Sequence, residues 1–241
     1  MKAKILLFFF CLSGLFMASY SAQAGEPTKN PILKIETGMH GTTLRRIGID
    51  SQNRFLATAS DDKTCRVWDL HTGRLIRTFR PPIDSFNEGK IYSVAISPDG
   101  KHVACGGWTG YDWESINYVY VFERETGKLF KRVSIESTGV INHLTYSKDG
   151  RFLSAHLSRN GIRVFNAFNK YSLAFKDLDY GDYTLGGDFY GSSLLATASY
   201  DGYVRLYNVS PTGIKLNSKI GAVGGRQPFG VCGNLFLRRN F

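Results

Sequence analysis

The stretch Thr58–Asp69 reads TASDDKTCRVWD, and Thr197–Asn208 reads TASYDGYVRLYN. The second copy starts 139 residues after the first (197 − 58). It keeps small, charged, β-branched and aromatic residues in the same order, which a chance polar loop would not do. A repeat of fixed period explains the match. Two further copies lie between them, so that RVWD (Arg66–Asp69), YVFE (Tyr120–Glu123), RVFN (Arg163–Asn166) and RLYN (Arg205–Asn208) fall in register, with Trp68, Phe122, Phe165 and Tyr207 at spacings of 54, 43 and 42. Around them run short alternating segments rich in Val, Ile, Tyr and Phe, punctuated by Ser51–Arg54, Ser97–Gly100, Ser147–Gly150, His71–Gly73 and Glu125–Gly127. These are hairpin signals, and no segment between them holds a helical period for three turns. The chain reads as all-β.

The repeats resemble the WD-repeat β-propeller family, whose units of about 40 to 45 residues each make a four-stranded blade. Trp68-Asp69 is the literal Trp-Asp pair, and Phe-Glu, Phe-Asn and Tyr-Asn replace it in the later units. Gly38 and His40 stand near the first unit as the family's Gly-His pair does, one residue out of step. The resemblance covers roughly residues 40 to 220 and implies four antiparallel blades, at about 40–80, 90–133, 140–176 and 183–220, with an incomplete fifth at 221–241. It also implies a structural hydrogen-bond tetrad of His40, Ser60, Asp62 and Trp68. Ser199 and Asp201 match in the fourth unit, but Tyr207 replaces the Trp and no histidine matches. The second and third units lack the Asp. On this reading Asp62 and Asp201 are turn-stabilising groups, not catalytic acids.

At the N-terminus, Lys2 and Lys4 precede an apolar run from Ile5 to Ala18 and the small-residue site Ala22-Gln23-Ala24. That order is a secretory signal peptide, residues 1–24, which leaves a mature chain of 25–241. The run is too short for a bilayer-spanning helix, so no stable membrane insertion is expected after cleavage. Export places the protein in the periplasm or outside the cell. The formal charge is +10, yet the basic residues are scattered singly, which argues against a nucleic-acid partner. Beyond the signal, Cys65, Cys105 and Cys232 are odd in number and irregular in spacing; they read as small core residues more readily than as a disulfide framework or a metal site.

Signatures of chemistry are missing. There is no Gly-x-Ser-x-Gly elbow and no His-Glu-x-x-His. Gly221–Gly225 is glycine-rich but runs into Arg226-Gln227, where a phosphate loop needs lysine and a hydroxyl. His40, His71, His102, His143 and His156 show no metal-ligand spacing. No cofactor and no metal are expected.

Two irregularities remain. After Arg226–Val231 the repeat breaks into CGNLFLRRNF, while Ile32–Glu36 resembles an outer strand without its companions. The resemblance then implies a truncated relative of a longer, seven-bladed, exported bacterial protein, with self-association through open blade edges as one consequence. A small closed ring of four blades is the alternative. The second irregularity is the long second unit, whose extra residues divide between Pro81–Gly89 and Gly107–Tyr118. In the family these two segments open on the same face. They carry Phe86, Trp108, Tyr111 and Trp113 with Asp112 and Glu114, an aromatic and acidic cluster suited to a protein or peptide partner, unless the tryptophans only pack one insertion on the other. The expected function is a non-catalytic interaction scaffold. The alternatives are a propeller lyase or hydrolase using carboxylates of that face, and a truncated gene product without function.

Overall fold

A computed structural model describes residues 38–82, 87–110 and 115–221. Among these residues, sixteen strands form four four-stranded antiparallel sheets. The first blade is β1 (Leu44–Ile49), β2 (Phe55–Ser60), β3 (Cys65–Asp69) and β4 (Leu75–Phe79); the second is β5 (Ile91–Ile96), β6 (His102–Gly107), β7 (Ile116–Glu123) and β8 (Leu129–Glu136). The third is β9 (Ile141–Tyr146), β10 (Phe152–Leu157), β11 (Ile162–Asn166) and β12 (Ser172–Asp177), and the fourth β13 (Thr184–Tyr190), β14 (Leu194–Ser199), β15 (Tyr203–Ser210) and β16 (Gly213–Gly221). Each sheet keeps chain order, strand pairing with its successor. This is the all-β architecture of propeller blades. The expected fifth blade and the strand-like segment Ile32–Glu36 lie outside the described residues.

Burial explains the sequence pattern. The two middle blades are covered on both faces, so β7 and β10 are apolar or small almost throughout and buried along nearly their whole length. Alternate side chains of β7 serve two cores: Tyr118, Tyr120 and Phe122 pack with Ala57, Val67 and Phe79 of the first blade, whereas Val119 and Val121 pack with Leu144, Leu153 and Leu157 of the third. A third core joins Ile162 and Val164 to Phe189, Leu195, Tyr207 and Val209. Each fully buried Ile or Leu contributes about 2 kcal/mol of burial free energy, and no blade holds these faces alone. The end blades alternate instead: Ile47 and Ile49 on β1 and Ile220 on β16 are exposed.

In the second and third blades the turn between the first and second strands repeats one device. Asp99 Oδ1 accepts from Ser97 Oγ at 2.6 Å and from the Lys101 N–H at 3.0 Å, and Asp149 repeats both bonds with Ser147 and Arg151. Gly100 holds φ of +74° at the tip, where a side chain would be strained. Burial pushes the Asp99 carboxyl upward, but these hydrogen bonds outweigh it and hold the group below the usual carboxylate range.

Candidate functional site

Within each blade the turn from second to third strand lies at the same end as the link to the next blade. Here the links and turns are stitched together. The Gly89 N–H donates to Trp108 O at 2.6 Å and the Trp108 N–H to Lys90 O at 3.0 Å, so the link into β5 and the loop after β6 run side by side. Further round, Asn117 Nδ2 donates to Ser137 O at 2.9 Å and Gly139 O at 2.6 Å, and the Val140 N–H donates to Ser158 Oγ at 2.7 Å.

Trp108 is half-buried. With Gly110, Ser115, Ile116, Asn117, Ser137 and Thr138 it lines a cavity of about 80 Å³, room for one small side chain or a few waters. Two backbone features shape this rim. A Cβ on Gly110 would run into the Ile116 carbonyl, so only glycine lets the loop close onto the start of β7. Ser115 sits at φ of +52°, a conformation uncommon for a residue with a side chain. The Thr109 hydroxyl then ties the loop down by donating to Tyr118 O at 2.5 Å. Of the residues expected to bind a partner, Trp108 has this setting. Phe86, Tyr111, Asp112, Trp113 and Glu114 lie outside the described residues.

Behind this face, the first blade carries a chain of polar contacts. Trp68 Nε1 donates to Thr58 Oγ1 at 2.9 Å, Thr58 Oγ1 meets His40 Nε2 at 2.7 Å, and His40 Nδ1 meets Asp62 Oδ2 at 2.8 Å. The carboxylate can only accept, so a neutral His40 carries its proton on Nδ1 and Thr58 donates to Nε2. Burial raises the Asp62 carboxyl, but bonds from the Thr64 hydroxyl, His40 and the Gly41 N–H more than offset this and leave it below the usual range.

One member of the expected tetrad is corrected. Ser60 is not in the chain; Thr58 takes its place. The register explains why: Trp68 pairs with Leu56 and Arg66 with Thr58, so Thr58 is the same-face diagonal neighbour of Trp68 and Ser60 is one step farther along. The Ser60 hydroxyl contacts Thr42 Oγ1 at 3.2 Å and accepts from the Asp62 N–H at 3.1 Å. Thr58→Val is therefore expected to cost about 2 kcal/mol in denaturant unfolding, because it strands the indole N–H and the imidazole, and Ser60→Ala closer to 1 kcal/mol. Equal costs would contradict this assignment.

The fourth blade has a counterpart that sequence comparison missed. Tyr180 Oη meets Thr197 Oγ1 and Tyr207 Oη, each at 2.7 Å, and Tyr207 Oη donates to Asp177 Oδ2 at 2.7 Å. Tyr180 thus meets Thr197 as His40 meets Thr58, while Tyr207, at the position of Trp68, bonds Tyr180 and Asp177 instead of the threonine. Gly181 and Asp201 repeat the Gly41–Asp62 contact, at 3.1 Å against 3.2 Å. Burial pushes the Tyr180 hydroxyl up to about 12 and the Tyr207 hydroxyl up as well, so both stay protonated donors. A one-residue shift and a change of side-chain class hid the match. Arg205 pairs with Asp201 at 2.7 Å as Arg66 does with Asp62 at 3.6 Å. These carboxylates are engaged in turn and strand contacts. Among the described residues, no three His, Cys, Asp or Glu side chains gather as a metal would require, and no helix is long and apolar enough to cross a membrane.

Comparison with known proteins agrees with this architecture. The family model described as WD domain, G-beta repeat matches residues 35–69 and 73–112. The chain is 29% identical over 165 residues to the WD repeat-containing protein SL1-17 of Schistosoma mansoni, covering 68% of this chain and 50% of that protein. It is 26% identical over 111 residues to a guanine nucleotide-binding protein subunit beta of Arabidopsis thaliana, covering 45% of this chain and 28% of the relative. A 74-residue match to autophagy-related protein 18 of Meyerozyma guilliermondii is 40% identical, over 30% and 12% of the two chains. The chain spans half or less of the length of each of these relatives.

Proposed function

We propose that this chain is an exported interaction scaffold without catalytic chemistry of its own, and that it holds a protein or peptide on the face bearing the two insertions of the second blade. The observation that carries the reading is the pairing of Gly89 and Lys90 with Trp108, which joins both insertions into one rim beside a small cavity. Loops on a rigid sheet scaffold are where binding residues concentrate, and tryptophan and tyrosine supply large contact area at low entropic cost. Asp112 and Glu114 would steer a basic partner more than tighten it. The similarity to WD-repeat proteins supports a scaffold role in general terms. Export rests on the basic start, apolar run and Ala-x-Ala order alone; recovered protein starting at Met1 instead of Gly25 would remove that part.

A peptide-display library panned on the immobilised chain tests the binding reading. Enriched peptides are expected to carry basic residues. Replacing Trp108 and Trp113 with alanine should weaken their capture by on the order of 2 kcal/mol, about 30-fold, while the β-type circular dichroism stays intact. Loss of the fold would show that the tryptophans only pack the insertions together. A folded variant that binds normally would move the site elsewhere.

A further inference from the structure

In three of the four blades the hairpin from third to fourth strand ends in the same dipeptide: Thr72-Gly73, Thr126-Gly127 and Thr212-Gly213. Gly73 and Gly127 sit at φ of +67° and +78°, a conformation that glycine adopts without strain. The third blade reads NAFNK at residues 166–170 instead. Its cap is kept, because Asn166 Oδ1 accepts from the Phe168 and Asn169 N–H groups at 3.1 Å, as Asp69 Oδ1 accepts from His71 at 3.1 Å and Thr72 at 2.8 Å. The glycine is given up. Lys170 stands in its place at φ of +49° and Tyr171 follows at +58°, where side chains are disfavoured. Phe168, in the position of His71 and Glu125, is 69% exposed. The turn is nevertheless held firmly: the Ala167 N–H donates to Arg151 O at 2.7 Å, and the buried Tyr171 meets Tyr146 Oη at 2.7 Å. A strained backbone that presents an exposed aromatic serves no core, and such strain points to function. The surroundings are basic. A Cβ on Gly150 would lie 4.0 Å from Phe168 Cε1, so the neighbouring turn, with exposed Lys148, lies against the ring. The Lys148 N–H donates to Gly191 O at 3.1 Å, next to the exposed Tyr190. Asp149 is engaged by Ser147 and Arg151, whereas Lys148 and Lys170 have no carboxylate partner among the described residues.

We propose that this third-blade turn, with Lys148, adsorbs to a membrane surface bearing anionic lipid. Phe168 enters the headgroup boundary, and Lys148 and Lys170 lie against the lipid phosphates. The aromatic is supplied by this chain and projects from a turn, so its occupant must offer a yielding apolar layer behind a negative surface. A lipid leaflet has both, and an extended acidic peptide lacks the first. Tyr190 suits the same boundary, where amphipathic rings collect. Adsorption of this kind needs no spanning segment. The turn lies at the opposite ends of the strands from the insertion face, so this inference and the peptide-binding reading stand or fall separately.

The test places a reporter at the turn, Phe168→Trp in the purified chain, and adds vesicles of brominated phosphatidylglycerol or brominated phosphatidylcholine. Emission of the unaltered chain is subtracted, so the signal reports residue 168 and not adsorption through the apolar run Ile5–Ala18. Quenching is expected with the anionic lipid, little with the neutral one, and high salt should reverse it. In the reporter chain, Lys148→Gln and Lys170→Gln should each raise the lipid concentration for half-quenching on the order of fivefold. Lys170→Gly separates function from structure, since it relieves the backbone while removing the charge: it should melt no lower than the parent chain and quench as weakly as Lys170→Gln. No quenching by the anionic vesicles, or equal quenching by both lipids, would overturn the proposal. So would a Lys170→Gly chain that melts lower yet quenches normally. Protection of residues 166–171 from hydrogen exchange by poly-glutamate, with none by vesicles, would assign the turn to an acidic protein instead.

Discussion

Lowering the pH from 7 to 4.5 is expected to remove about 3 kcal/mol of stability, through His143 on β9 and His156 on β10. The ring centroids lie 5.4 Å apart in the third blade, with the rings tilted by 54°. Burial, then the Arg46 guanidinium, bring His143 down to about 4, and burial followed by the His143 ring holds His156 well below the ordinary histidine range. Both rings are therefore neutral when folded, while the unfolded chain takes up their protons near pH 6.5. Between about 6.5 and 4 the unfolded state binds more protons, so stability is complete above that window and falls as the pH drops through it. The His143 shift alone corresponds to roughly 3 kcal/mol; that ring is partly exposed, which trims its share, and the fully buried His156 adds in the same direction. The carboxylates held low, among them Asp62 and Asp99, extend the loss below pH 4. Denaturant midpoints measured across this range should flatten in a His143→Gln, His156→Gln variant. An unchanged slope would show that other groups carry the acid sensitivity.

Tyr207→Ala should be the most damaging single truncation in the fourth blade, at about 3 to 5 kcal/mol. Its ring is fully buried in the core between the third and fourth blades and meets Phe175 edge-on at 5.6 Å. Its hydroxyl also satisfies Tyr180 and Asp177, which would be left without it. Tyr207→Phe keeps the ring and should cost only about 1 to 2 kcal/mol. Hydrogen exchange should show the larger loss in β13 to β16 first, since the first and second blades share no core with Tyr207. Equal losses in both variants would mean that the hydroxyl network, not the packed ring, holds the seam.

The blades were legible because the same burial demand falls on each copy. Trp68, Phe122, Phe165 and Tyr207 recur at the third strand, and the turns ending in Gly100 and Gly150 mark the hairpins. What escaped reading lay in links and register. Thr58 and Ser60 are both small hydroxyl residues on one face of β2, and only the pairing of Leu56 with Trp68 decides between them. Tyr180 lies in the link between blades, where no strand alternation announces it. Trp108 could be singled out as part of an insertion, but its rim is shaped by Gly110 and Ser115, whose roles depend on close approach and backbone angle.

Hydrogen exchange on the chain bound to a peptide selected by display tests the placement of the binding face most directly. Binding at the insertion face predicts slowed exchange in residues 87–90 and 108–118, with residues 50–54 and 97–101 at the opposite ends of the strands unchanged. Protection confined to those opposite turns, with the Trp108 rim exchanging as in the free chain, would contradict it.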